Sequence, residues 1–244
     1  MFEFDLNNTS HLLALAGAAA IAGLVRGFAG FAGPATISLL LAHFFTPATL
    51  IPRIAAMDIY AYPILVWNAR KHANWRLAFP IAAACVSCMP FGVYTLSVLD
   101  GEILKRLIGI ACIGAVAVSM SDLRFKAVPP LWVNLVVAAV LGWLMAATFI
   151  ALPIVTYIVL MPYPATVCRA TVIAFSVMTT PFLFVMLVLA DLVNLSDLGP
   201  LALCGAIYFT MIAVGSKLFL KASERDYRRA AQWLILVLAV MVLF

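Results

Sequence analysis

The chain is 244 residues long, 66% hydrophobic and only 10% charged, with a mean hydropathy of +1.14 and a formal net charge of +5. A soluble domain is nearer half apolar and a quarter charged, so these values exclude a soluble globular protein and describe an integral membrane protein. The positive charge then points to cytoplasmic loops rather than to nucleic acid, because lysine and arginine are retained on the inner side.

Residues 1–11 carry Glu3 and Asp5 but no basic residue. A cleavable signal peptide needs a basic start, so the first apolar stretch is expected to stay in the mature protein. Apolar segments follow at about 12–43, 50–69, 77–99, 103–120, 131–161, 165–190, 198–216 and 230–244. Charged loops lie at 70–76, 100–106, 121–130, 191–197 and 217–229. Trp67, Trp75 and Trp132 flank apolar segments, as interfacial aromatics do.

Segments 12–43 and 131–161 are too long for one crossing. As unbroken helices they would extend roughly 45–48 Å, against about 30 Å of hydrocarbon. Two full crossings would need about 60 Å, so each is expected to be a pair of short or broken helices meeting inside the membrane.

Loop charge tests this. If each long segment crosses once, Lys and Arg divide almost evenly between the two sides. If each returns to its starting side, Arg70, Lys71, Arg76, Arg124, Lys126, Lys217, Lys221, Arg225, Arg228 and Arg229 share a side, against Lys105 and Arg106. The second arrangement satisfies the positive-inside rule. It puts both termini outside and the 70–76, 121–130 and 217–229 loops in the cytoplasm. The second half then starts from the opposite side, the plan of many secondary transporters. The expected fold is all-α: a polytopic membrane helix bundle of two inverted repeats, 1–126 and 127–244. Each repeat is a broken or hairpin helix followed by three transmembrane helices.

The halves also echo in letters. PATLIPRIA (47–55) recurs as PATVCRATV (164–172), each after a long apolar segment, with Arg53 or Arg169 at the start of a helix.

The stretch LVRGFAGFAGPATISLLL (24–41) sets Arg26, Gly27, Gly30 and Gly33 in an apolar run. Glycine permits a sharp turn, close approach and amides open to a ligand, and Pro34 suits the first turn of a following helix. A break here would aim a helix N-terminus, with its partial positive charge, into the membrane interior. The plainer reading is a small-residue packing stripe. Pro153, after Thr148, would serve the second half in the same way.

A charge as deep as Arg26 costs several kcal/mol unless water, a partner or a ligand receives it. Pairing with Asp58 and contact with an anionic substrate or its aqueous path are the two readings. Arg53 and Arg169 lie nearer helix ends, where snorkelling or carbonyl capping competes with a binding role. Asp58, the carboxylate well inside an apolar segment, could pair with Arg53 or Arg26 or carry a proton for coupling. His43 reads as interfacial, and His11 and His72 as loop residues. The five cysteines all sit in apolar segments, and the CxxC of Cys85 and Cys88 reads as small residues on a packed helix face rather than as a redox or metal site.

GLVRGFAGFAGPATISLLLAHFFTPATLIPRIAAMDI resembles the first repeat of the sulfite exporter TauE/SafE membrane transporters, of the toluene sulfonate uptake permease type. TFIALPIVTYIVLMPYPATVCRAT resembles the second repeat of that family. The resemblance spans nearly the whole chain. The second motif departs from the family at Ala151, Leu152 and Ile154, and the first at Ala32 and Pro34; if those positions line the ligand site, a substrate preference different from that of a typical member is expected.

The resemblance implies a secondary transporter, an exporter, of small sulfur-containing anions such as sulfite or organosulfonates. Alternating access would occur around a midplane anion site made by the two helix breaks. The candidate substrate-binding residues are Arg26, Gly27, Gly30, Gly33, Pro34, Arg53, Thr148, Pro153 and Arg169, with Asp58 as coupling residue or ion-pair partner. An anion channel, or a transporter of other small organic anions, is the alternative. An intramembrane enzyme is disfavoured because no HExxH, GxSxG or acidic pair falls in the apolar segments. No metal, cofactor or nucleic acid is expected. The expected partners are a small anionic substrate and the lipid bilayer, a homodimer is allowed, and the expected location is the inner (plasma) membrane, multi-pass.

Overall fold

A computed structural model of the protein describes residues 8–41, 47–99, 125–148, 151–191 and 198–223, with isolated positions between 103 and 118 and between 225 and 237. For the most part, the crossings expected over 103–120 and 230–244 and the loops 100–106 and 191–197 lie outside the described residues, as do His43, Cys112 and residues 121–124. Every regular element among the described residues is helical.

The first long segment is broken. Helix α1 (Thr9–Ala29) starts at Asn8, whose side chain accepts from the Ser10 amide, and ends at Gly30. Gly30 has φ of 87° and donates its amide to the Arg26 carbonyl, at 2.7 Å. This is the left-handed cap at which glycine avoids a Cβ penalty. Ala32 also has positive φ, at 71°. Helix α2 (Gly33–Leu41) then begins with Pro34 in its first turn, where a missing amide costs nothing.

The segment expected to cross over 50–69 is interrupted as well. Helix α3 (Pro47–Asp58) gives way to a 3₁₀ turn at Ile59–Ala61 before helix α4 (Tyr62–Ala69). Pro63 explains the interruption: it has no amide for the Ile59 carbonyl, and the Tyr62 amide takes that carbonyl instead. Asp58 is therefore left at the end of a helix rather than in the middle of one.

Helix α5 (Trp75–Val98) is capped by the Asn74 side chain, which accepts from the Leu77 amide at 3.2 Å. The second long segment divides into α6 (Leu131–Thr148) and α7 (Leu152–Val159), with Pro153 in the opening turn of α7. Helices α8 (Ala165–Leu189) and α9 (Leu198–Lys221) follow. Both PAT motifs open helices, Pro47 at the first residue of α3 and Pro164 just before α8. As described, α2 (9 residues) and α7 (8 residues) are too short to cross, reaching roughly 12–14 Å against about 30 Å. Among the described residues five helices are long and apolar enough to do so: α1, α5, α6, α8 and α9.

By their contacts the residues fall into two compact units, Met1–Trp67 with Thr180–Ala222, and Asn68–Thr179 with Ser223–Phe244. In the first, α1 packs along α9, and α2 and α9 both touch α3. A Cβ at Gly27 would strike the Ile212 carbonyl of α9, so the two helices meet backbone to backbone. Ser216 adds a hydrogen bond to the Gly27 carbonyl at 3.3 Å. In the second unit α5 packs along α6. There a Cβ at Gly142 would come within 2.6 Å of the Cys85 backbone, and the Trp143 indole donates to the Thr95 hydroxyl at 3.0 Å. Small residues at such crossings let dispersion attraction act where lipid removes the hydrophobic drive. Cys85, buried against Gly142, is a packing residue.

Each unit thus contains a broken helix packed on one long helix from the other half of the sequence. Side chains such as Phe79, Phe91, Leu189 and Leu220 stay 67–81% exposed on the long helices. That is the expected surface of helices whose solvent is lipid. Trp67, Trp75 and Trp132 are exposed at helix ends, the position of interfacial anchors.

Candidate functional site

Two charges of the first unit, Arg26 and Asp58, meet. Arg26 stands in the last turn of α1, one turn before the Gly30 cap, and Asp58 is the last residue of α3. The Arg26 Nη1 atom lies 3.0 Å from Asp58 Oδ1, and the two side chains are 4% and 1% exposed. Tyr208, wholly buried on α9, donates its hydroxyl to the same Oδ1, also at 3.0 Å. The Tyr62 hydroxyl of α4 lies buried within the electrostatic reach of both charges.

The cluster is incompletely satisfied. Arg26 Nε, Arg26 Nη2 and Asp58 Oδ2 are buried with no hydrogen-bond partner among the described residues. Each such group ordinarily costs about 1–3 kcal/mol, and more when charged. Arg26 is thus a buried cation with two unfilled donor nitrogens beside a helix break.

Glycine at position 33 is what admits this arrangement. A Cβ there would collide with the Tyr208 hydroxyl and come within 2.8 Å of Arg26 Cδ. The first residue of α2 therefore lies directly against the stem of Arg26 and the phenol of Tyr208. Pro34 follows it in the same turn, half-buried. Of the other glycines in the motif, Gly30 makes the turn and Gly27 meets α9. Arg53 is half-buried on α3, five residues before Asp58. The ion pair left open between Arg53 and Arg26 goes to Arg26.

Thr148, Pro153 and Arg169 belong to the second unit. Thr148 is buried at the end of α6 and donates to the Leu144 carbonyl at 2.7 Å. Arg169 is 6% exposed on α8, with Tyr227 in its electrostatic surroundings. Helices α6 and α7 are tied across their break by a buried hydrogen bond, from the Tyr157 hydroxyl to Asn134 Oδ1, at 2.6 Å. Asn134 in turn donates to the Pro129 carbonyl at 2.9 Å, and the Phe125 ring meets Tyr157 edge-on. The second break therefore has its own polar brace without the glycines of the first.

Sequence reasoning did not find Tyr208, Tyr62, Asn134 or Tyr157. Asn134 carried a readable signal, a lone amide within an apolar run. Tyr208 carried none, because one tyrosine in a long apolar helix looks like any other large side chain. Among the described residues no group of three His, Cys, Asp or Glu side chains is placed to hold a metal ion.

Comparison with protein families matches the family described as Sulfite exporter TauE/SafE over residues 15–242. No curated protein and no solved structure matches the chain.

Proposed function

Because the chain belongs to the sulfite exporter TauE/SafE family, a family of membrane transporters, we propose that it is a secondary exporter of small sulfur oxyanions, sulfite or organosulfonates, in the inner membrane. The observation that carries this reading is Arg26. It is a buried arginine at a helix break within an apolar segment, with one nitrogen held by Asp58 and two donors unfilled. Intramembrane charges are expensive and mark substrate or ion pathways. Discontinuous helices whose N-termini face an anion are a recurrent transporter device.

Alternating access belongs to the same proposal, with 1–126 and 127–244 as the two inverted halves. Two features support it. The order of long helix, break, short proline-bearing helix and PAT-led helix occurs twice along the chain. The α1–α9 pair and the α6–α5 pair are also built alike, each a broken helix on a glycine-bearing seam with a long helix of the other half.

The test is flux from liposomes holding the purified protein, with sulfite and a set of sulfonates inside. Saturable efflux, inhibited by competing sulfonate, is the expected result. Flux that rises linearly with concentration would identify a channel. Absence of flux for every sulfur oxyanion would overturn the proposal.

A further inference from the structure

We propose that the Nε–Nη2 edge of Arg26 is the oxyanion subsite, gripping two oxygens of one central atom, and that Asp58 and Tyr208 are positioning residues that hold that edge open. This rests on the transport reading above and names the chemistry that the site selects.

The argument begins with how Arg26 is held. A guanidinium presents five N–H groups in a rigid plane, and its partner carboxylate commonly takes two of them side by side. Here Asp58 engages one nitrogen only, Nη1, through Oδ1. The same Oδ1 also accepts from Tyr208, so the carboxylate is anchored from two directions at one oxygen. Its other oxygen, Oδ2, takes no partner among the described residues. The pair is end-on rather than forked.

What remains of Arg26 is the opposite edge. Nε and Nη2 lie side by side on the planar group, with their N–H bonds nearly parallel, and both are buried and unpartnered. Two parallel N–H donors match two oxygens on one sulfur or carbon, the geometry for which arginine is preferred over lysine. They do not match a linear anion that offers one terminal atom. The first turn of α2 adds favourable partial charge, since Gly33 lies against the Arg26 stem.

The anchors explain why the edge stays free. Without the Tyr208 hydroxyl, Asp58 Oδ1 loses one of its two donors, and the carboxylate is free to rotate so that both oxygens engage the guanidinium. A forked internal pair would then compete directly with the substrate. Since Asp58 already balances the charge of Arg26, recognition depends on the hydrogen-bond geometry rather than on net charge, which suits a site that must also release its ligand.

The experiment measures sulfite transport in liposomes for the wild type, Arg26→Lys and Tyr208→Phe, with methanesulfonate and thiocyanate as competitors. In the wild type methanesulfonate should compete and thiocyanate, of equal charge but linear, should compete far less. Arg26→Lys keeps the charge and loses the fork. Its KM for sulfite should rise roughly ten- to a hundredfold, as for the loss of a charged hydrogen bond, while its inhibition by thiocyanate stays unchanged. Tyr208→Phe should raise KM for sulfite with a smaller change in kcat.

Folded Arg26→Lys protein with a wild-type KM would overturn the subsite. If that variant does not fold, the wild-type comparison decides: thiocyanate competing as well as methanesulfonate overturns the fork. An unchanged KM in Tyr208→Phe overturns the positioning role. A wild type with no saturable sulfite transport removes the transport reading itself, and the subsite with it.

Discussion

Removing either half of the Arg26–Asp58 pair should be far more damaging than removing both. At 3.0 Å the attraction is worth about 5.5 kcal/mol at an effective dielectric constant of roughly 20. Desolvating two ions costs several kcal/mol each, so the intact pair comes out near neutral against an apolar replacement. The single variants have no such balance. Asp58→Leu leaves a guanidinium 4% exposed with no counter-charge, and Arg26→Met leaves a carboxylate 1% exposed with only the Tyr208 hydroxyl. Each should lose about 3–5 kcal/mol of stability, the usual result of widowing a buried charge. The double variant Arg26→Met/Asp58→Leu should recover most of that loss, because it buries no charge at all. It should nevertheless be inactive in the liposome assay, since the fork is gone. Unfolding of the four proteins by detergent titration in mixed micelles gives the coupling energy of the cycle. Additive losses would refute the reasoning, because the two charges would then not be stabilising each other. A stable double variant that still transports sulfite would assign the pair to structure alone.

Gly27→Ala should cost about 1–3 kcal/mol by overpacking, because its methyl would meet the Ile212 backbone of α9. Gly17→Ala is the control, neutral or slightly stabilising in the same titration, since a Cβ at Gly17 meets nothing within 4 Å. For topology, His72→Cys lies in the exposed turn between α4 and α5 and should react with an impermeant thiol reagent only from the cytoplasmic side; labelling from the periplasm would end both the hairpin arrangement and the inverted repeat.

Much of this molecule is legible in its letters, because a membrane makes local composition decisive. In lipid every backbone polar group must be satisfied within the segment, so apolar length alone forces helices. The over-long runs at 12–43 and 131–161 therefore announced that each had to break, and Gly30, Pro34 and Pro153 marked where. Arg26 and Asp58 were conspicuous because charge in an apolar run is costly wherever it ends up. The 3₁₀ turn at Ile59–Ala61 was equally local, written in Pro63, but a hydropathy reading passes over a proline inside an apolar window. The tertiary structure alone decided the pairings. Asp58 could have answered Arg53, five residues away, yet it pairs with Arg26 and is anchored by Tyr208, 150 positions along the chain. Likewise α1 chose α9, and α5 chose α6, through close approaches at glycines whose partners no local pattern names. Helix formation and helix breaking are settled within a few residues, whereas the partner of a buried charge is whichever group the packing of distant helices brings within 3 Å.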